Sequence, residues 1–451
     1  MGRGFDTAFG YWSGAEDYTA HTVTQNKRAV YDMQNDLLAD ASANGTFSTP
    51  VFAARAQELI AAQGAAGPGA PPLFLYLAFQ NVHWPLEAPA DIVARFANST
   101  GGNAGRAMVC AMAAYLDEAV GNVTRAITAA GLDENTIIIF VSDNGCVLGG
   151  NGGEGGGGEQ PPPPTAANNS RTHTPHAHTH ARTHTHTHTH AHLPPRSGPT
   201  HNDEGTWSNN FPLRGGKNTL WEGGTRVLAA VKGPGVTPGT ALSAPVHATD
   251  WLASLVSAAT GGADFRGFAP PGEPPYLDGD GLDVWATITG AAPTPQRDWL
   301  LLEAHNDGSR KDSTHGNGLI EWRKGGVLKY LLLGPEDPAI EDGWWAPDGE
   351  DAAATPYEVR CSWQGAGPRT GGANIPTLCT QTACLFNLTA DPCEYFDVAD
   401  ANPGIVKAMA ARLAAYSTVP PLQGQGCMPQ IIDVAGAGGA VQFFPCDVTP
   451  P

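Results

Sequence analysis

The sequence has 451 residues, 41% of them hydrophobic, and 25 Lys+Arg against 44 Asp+Glu give a formal net charge of −19. That balance disfavours a nucleic acid or an anionic membrane as partner, and at roughly 150 residues per domain the length allows two or three domains. Only 15% of residues are charged, while 56 Gly and 38 Pro together make 94, about a fifth of the chain, so part of it is expected not to pack.

In chain order, residues 50–62 predict a first helix. Residues 72–79 (Pro-Leu-Phe-Leu-Tyr-Leu-Ala-Phe) and 136–141 (Thr-Ile-Ile-Ile-Phe-Val) are short apolar runs, read as strands buried on both faces of a parallel sheet. Between them, Met108, Met112, Tyr115, Leu116, Ala119, Val120 and Val123 recur at helical spacing over 107–130. Strand, helix and strand form a βαβ unit. Residues 149–206 then run through Gly/Glu repeats, Pro161 to Pro164 and Thr-His repeats that hold ten of the fifteen histidines. Such a stretch cannot bury enough apolar surface to offset its ordering entropy and is expected to be a disordered insertion. Imidazoles at alternate positions could instead chelate a transition metal. Further on, Thr249 is a plausible N-cap for a helix to about Ala259, Gly316 to Gly334 reads as a hairpin around Lys324-Gly-Gly, and Gly404 to Tyr416 is an amphipathic helix. The expected layout is an α/β domain of 1–148 and 207–310, the insertion 149–206, a small α+β unit 311–420 and a Cys-containing tail 421–451.

Cys110 and Cys146 stand apart, while Cys361, Cys379, Cys384, Cys393, Cys427 and Cys446 crowd the last hundred residues. An even, clustered set points to disulfides in an oxidising compartment; a zinc ribbon competes, but no Cys-x-x-Cys pair exists. Five N-x-S/T sequons, at Asn44, Asn98, Asn122, Asn168 and Asn387, agree with secretion. The first residues carry no apolar signal region, and no apolar run approaches the eighteen residues of a membrane span.

Ligands of open α/β sheets gather beyond the carboxyl ends of the strands. Two polar clusters are expected there: Gln80-Asn-Val-His-Trp-Pro-Leu and Ser142-Asp-Asn-Gly. Asp143 and Asn144 offer oxygen donors suited to a hard cation such as Ca²⁺ or Mg²⁺, although such a tripeptide is also a common turn. His83 is either a donor to an anionic substrate or a hydrogen-bonded histidine at a strand end. Lys217, flanked by glycines that admit close backbone approach, could supply positive charge, and its surroundings are not a Walker A loop.

Gly4-Phe-Asp-Thr-Ala-Phe-Gly-Tyr-Trp-Ser-Gly-Ala-Glu-Asp-Tyr, Asn81-Val-His-Trp-Pro-Leu, Leu116-Asp-Glu-Ala-Val-Gly-Asn-Val and Val141-Ser-Asp-Asn-Gly occur in this order. Asn210-Phe-Pro-Leu-Arg-Gly-Gly-Lys-Asn-Thr-Leu-Trp-Glu-Gly-Gly-Thr-Arg follows, then His247-Ala-Thr-Asp-Trp-Leu, Leu282-Asp-Val-Trp and Leu385-Phe-Asn-Leu-Thr-Ala-Asp-Pro-Cys-Glu. Together they resemble the sulfatase family, arylsulfatase B type, over nearly the whole chain except 149–206 and the last thirty residues. The resemblance implies an alkaline-phosphatase-like, mostly parallel α/β sheet flanked by helices, with a smaller C-terminal α+β subdomain. It implies Ca²⁺-assisted hydrolysis of a sulfate ester on a small molecule or glycan, in a secreted or lysosomal protein. Carried over by motif, Asp143 and Asn144 are metal ligands, His83 contacts the sulfate, and Lys217 bridges sulfate and nucleophile.

The family's nucleophile is a formylglycine made from the first residue of C/S-x-P-x-R, and no such motif stands in the 451 residues; Cys427-Met-Pro-Gln-Ile lacks the Arg. Paired aspartates that complete the metal site, and a Lys-x-His segment, are likewise absent. The expectation is therefore an N-terminally truncated sulfatase with an incomplete Ca²⁺ site, lacking the first strands and inactive as written. A two-zinc phosphodiesterase or phosphatase of the same superfamily is the alternative enzyme, and a non-catalytic sulfatase-like protein that binds sulfated glycans or metals is the alternative class.

Overall fold

In a computed structural model, the described residues are 5–25, 28–36, 38–146, 190–192, 208, 210, 212–217, 219–242, 244–264, 281–292, 297–304, 316–323, 326–332, 383–394, 396–416, 430–432 and 440–442. They fall into two compact units, one of 5–131 with 190–192, 430–432 and 440–442, the other of 132–146 and 208–416. The histidine tract apart from the backbone of 190–192, Asn168, and Cys361, Cys379, Cys427 and Cys446 lie outside the described residues.

The first unit is organised by two helices. The helical spacing read over 107–130 forms Ala104–Ala129, capped by the Asn103 side chain, whose Oδ1 accepts the Arg106 N–H at 3.0 Å. Met108, Ala111 and Met112 lie on one stripe, three to four residues apart, and pack with Tyr18, Phe47, Ala88 and Ile92. The helix expected over 50–62 runs Ser48–Ala66 and ends at Gly67, whose φ of 77° leaves the helical region. Antiparallel ribbons complete the unit: Phe9–Tyr11 with Met33–Asn35, and Thr22–Gln25 with Arg28–Tyr31. The backbone of His190–His192 pairs antiparallel with Glu87–Pro89.

In the second unit a four-stranded antiparallel sheet, in the order Trp299–Glu303, Asn317–Arg323, Gly326–Leu332, Cys384–Asn387, includes the expected hairpin. Alternation along a strand sends successive side chains to opposite faces. Leu328, Tyr330 and Leu385 accordingly face Met409 and Leu413 of the helix Pro403–Tyr416, whereas Leu331, Cys384 and Phe386 face Leu220 and Trp221. Lys329, in register with Leu331, is carried to the second face and is fully buried. Thr249 does precede the helix Asp250–Thr260, but its side chain does not cap it; its Oγ1 lies 2.8 Å from His247 Nδ1, and Asp250 accepts the His247 N–H.

Two strand expectations need correction. Residues 72–79 form neither helix nor strand and join no ladder among the described residues, and Phe74 and Tyr76 are 66% and 75% exposed. Their apolar character describes two faces that could be covered, and a strand forms only where a neighbour supplies the hydrogen bonds. Residues 138–141 do form a strand, Ile138–Val141, but it pairs antiparallel with Ala229–Lys232, and Phe140 and Val141 are exposed. Pairing among the described strands is antiparallel apart from one parallel register, Ala440↔Tyr31. No helix among the described residues is long and apolar enough to cross a membrane.

Candidate functional site

The strand Ile138–Val141 delivers Ser142, Asp143 and Asn144 as a tight turn. Ser142 N–H still bonds Leu228 O at 3.1 Å, continuing the ladder, and Ser142 Oγ then donates to Asn144 O at 3.0 Å. Asp143 is exposed, with Oδ1 accepting the Asn144 N–H at 2.8 Å; Asn144 Nδ2 donates to Gly145 O at 3.2 Å. The turn is fixed to the glycine-rich loop by a backbone mesh. Gly145 N–H donates to Gly224 O at 3.0 Å, and Lys217 N–H to Cys146 O at 2.9 Å.

Asn210 completes that mesh. Its Oδ1 accepts the Cys146 N–H at 2.8 Å while its Nδ2 donates to Cys146 O at 3.0 Å and Gly215 O at 3.1 Å. One side-chain amide thus imitates a neighbouring strand, satisfying both backbone groups of Cys146. The result places Lys217 on a loop docked to the Asp143–Asn144 turn.

The docking is close enough to require glycine. A Cβ on Gly145 would run into the Gly223 carbonyl oxygen, and a Cβ on Gly223 into Gly215 and Arg214 carbonyl oxygens. Gly223→Ala is therefore expected to lower stability by about 1–3 kcal/mol, the usual cost of overpacking, seen as a lower urea midpoint. A midpoint equal to the parent's would contradict this close approach.

Beneath the loop lies a set of charges that the sequence reading missed. Lys329 Nζ is 3.0 Å from Glu222 Oε1 and 2.9 Å from Glu394 Oε1, with Lys329 and Glu394 fully buried. Glu394 Oε2 accepts the Glu222 N–H at 2.7 Å, and Arg214, itself buried, donates to Glu394 O at 3.4 Å and lies 3.5 Å over the Trp221 ring. Burial opposes the Lys329 charge, but the two carboxylates outweigh it and hold its pKa above the usual lysine value. Burial pushes Glu394 up to about 7 against the pull of Lys329. The only sequence signal was a charged residue beside each glycine pair, Arg214-Gly-Gly and Glu222-Gly-Gly. Lys329 and Glu394 come from distant strand and turn positions that no local pattern links.

His83 belongs to the first unit. The segment before it is held by both helices: Ser48 Oγ donates to Gln80 Oε1 at 2.9 Å, and Asn81 Nδ2 to Met112 O at 3.1 Å. Tyr18 Oη donates to His83 O at 3.0 Å, and the exposed ring sits with Nδ1 2.9 Å from Trp84 O. A carbonyl only accepts, so Nδ1 carries a proton, and Nε2 donates to an anion only when the ring is protonated on both nitrogens.

For a cation, donor type and donor number give different answers. The Asp143 carboxylate and Asn144 amide oxygen suit Ca²⁺, but that ion takes six to eight oxygens, and among the described residues no group of three His, Cys, Asp or Glu side chains is placed to hold a metal. The described residues do not complete a Ca²⁺ shell.

The Sulfatase family model matches residues 1–262. Arylsulfatase J of Mus musculus is 30% identical over 421 residues, covering 92% of this chain and 56% of the mouse protein, so the chain spans about half the length of that relative. The crystal structure of Ps i-CgsB superposes with a TM-score of 0.53 at 18% identity, over 92% of this chain and 67% of the other. Its complex with k-i-k-neocarrahexaose gives 0.53 at 19% identity over the same shares. At such identity the likeness speaks for the fold, which is the alkaline-phosphatase-like α/β class expected from the resemblance. The chain belongs to the Sulfatase family.

Proposed function

We propose that this chain recognises sulfate esters and carries part of the machinery of a sulfuric ester hydrolase, with Asp143 and Asn144 contributing to a Ca²⁺ site and Lys217 binding the sulfate. The observation that carries the reading is the docking of the Lys217 loop on the Asp143–Asn144 turn through Cys146, Asn210 and Gly224. A lysine, a carboxylate and an amide oxygen on two loops docked to each other suit a sulfuryl group in transfer, because its negative charge spreads over the non-bridging oxygens. Lys217 would neutralise that charge.

Cleavage transfers sulfur from the ester oxygen to a nucleophile and then to water, and the ester oxygen leaves with a proton. The 451 residues supply no C/S-x-P-x-R for that nucleophile. Binding without turnover is the behaviour proposed for the chain alone. The sugar ligand of Ps i-CgsB supports a glycan as the alcohol portion. Secretion or lysosomal residence is proposed on the sequons at exposed Asn44, Asn98 and Asn122 and on the C-terminal cysteines. Cys384 and Cys393 are fully buried, which supports disulfides, whereas Cys110 and Cys146 are not disulfide-bonded.

The test is calorimetric titration of the purified chain with p-nitrophenyl sulfate and CaCl₂, alongside release of p-nitrophenol. Binding is expected to weaken by about tenfold or more in Lys217→Ala, the scale of a lost hydrogen bond to a charged group. Ca²⁺ affinity is expected near 10⁻⁴–10⁻³ M, roughly that of weak sites, and to vanish in Asp143→Ala. Turnover at ordinary enzyme rates would overturn the inactivity, and equal affinity in Lys217→Ala would overturn the sulfate site.

A further inference from the structure

The buried cluster beneath the Lys217 loop is costly unless it serves a purpose. An ion cluster of this kind, replaced by apolar residues of similar volume, often leaves a protein as stable or more so. Glu394 also holds a left-handed backbone, φ 58°, that a side chain bearing a Cβ adopts at a penalty. Its contacts explain where that penalty goes. The Oε2 atom takes the Glu222 N–H at 2.7 Å, the carbonyl oxygen takes Arg214 Nη1 at 3.4 Å, and Oε1 sits 2.9 Å from Lys329. Arg214 and Glu222 bracket Lys217, and Gly223 N–H closes the bracket on Arg214 O at 2.7 Å.

We propose that Glu394 is a positioning residue for Lys217: with Lys329 as its counter-ion it clamps both ends of the loop 214–223, so that the loop docks on the Asp143–Asn144 turn in one setting. The proposal rests on the sulfate-binding role of Lys217 given above. A turn that only capped the sheet would have no reason to send one oxygen to the Glu222 amide and its carbonyl to Arg214. Both contacts lie on the loop, while the sheet strand Cys384–Asn387 is already paired with Gly326–Leu332.

A double-mutant cycle on the whole chain tests this, using Glu394→Gln and Lys217→Ala with p-nitrophenyl sulfate as probe. The amide keeps the shape of Glu394 but accepts on one side only, so its NH₂ must oppose either the Glu222 N–H or the Lys329 ammonium. Glu394→Gln is expected to weaken binding by about tenfold when Lys217 is present and by less than about twofold when it is Ala, because coupled residues are not additive. The same factor in both backgrounds would overturn the proposal. Amide exchange gives the second measurement: Lys217 and Gly223 N–H are expected to exchange faster in Glu394→Gln while Asn317–Arg323 and Gly326–Leu332 keep their protection. Unchanged loop protection would also overturn it. If Lys217→Ala alone does not weaken binding, the sulfate-site reading fails, and loop exchange still decides whether Glu394 clamps the loop.

Discussion

Lys329→Met is expected to destabilise the second unit by about 3–5 kcal/mol at pH 7.5, the scale for removing one partner of a buried ion cluster. Met fills the volume of the lysine stem, so the loss is electrostatic rather than a cavity. Two carboxylates, Glu222 and Glu394, are then left in a site from which water is excluded, and Glu394 is fully buried. The deficit is expected to shrink toward pH 5. Burial already raises Glu394 to about 7, and without Lys329 it takes a proton more readily still, which removes one of the stranded charges. Adding Glu222→Gln and Glu394→Gln to Lys329→Met should recover much of the loss by removing the unpaired charge. Urea midpoints at both pH values for the three proteins decide this, and a Lys329→Met midpoint within the error of the parent at pH 7.5 would show that the cluster is not buried as described.

The helices were legible because their signal is local: stripes of small and apolar residues over 107–130 and 404–416 repeat within a single element. The hairpin was equally legible, since Gly326 sits at its turn and the flanking residues alternate. The run 72–79 misled because pairing is not local. Composition tells that Leu75, Leu77 and Phe79 can be covered, and nothing within eight residues tells which strand, if any, lies alongside. The candidate site was half legible for the same reason. Asp143, Asn144, His83 and Lys217 sit in motifs whose residue types announce chemistry, whereas Lys329 reads as an ordinary exposed strand lysine and Glu394 as a turn residue. Their pairing spans 65 residues of sequence and exists only once Gly326–Leu332 and Cys384–Asn387 are side by side.

The first unit is expected to be more stable at pH 5 than at pH 8, and Glu87 is the main cause. Burial, reinforced by the charge of Asp17, raises the Glu87 carboxyl to about 7, while the Tyr18 N–H at 3.2 Å pulls weakly the other way. Between about 4.5 and 7 the folded chain therefore holds a proton that the unfolded chain has released, and stability falls as pH rises through that window. At about 1.4 kcal/mol per pKa unit the difference is roughly 3 kcal/mol, fully present below pH 4.5 and gone above 7. His21 adds to the same trend. Burial opposes its charge, but the Glu16 carboxylate at 3.0 Å and the carbonyl oxygens of Thr46 and Ala43 outweigh burial and raise its pKa above 6.5. Its stabilisation is complete below 6.5 and lost as pH climbs through the raised value. Glu16, raised first by burial, has the same sign. Glu87→Gln supplies a neutral isostere whose amide imitates the protonated acid, so it should flatten the pH dependence chiefly by gaining stability at pH 8. Urea unfolding at pH 5 and 8, followed by tryptophan fluorescence in parent and Glu87→Gln, measures the slope, and a parent whose stability rises with pH would contradict the burial of these three groups.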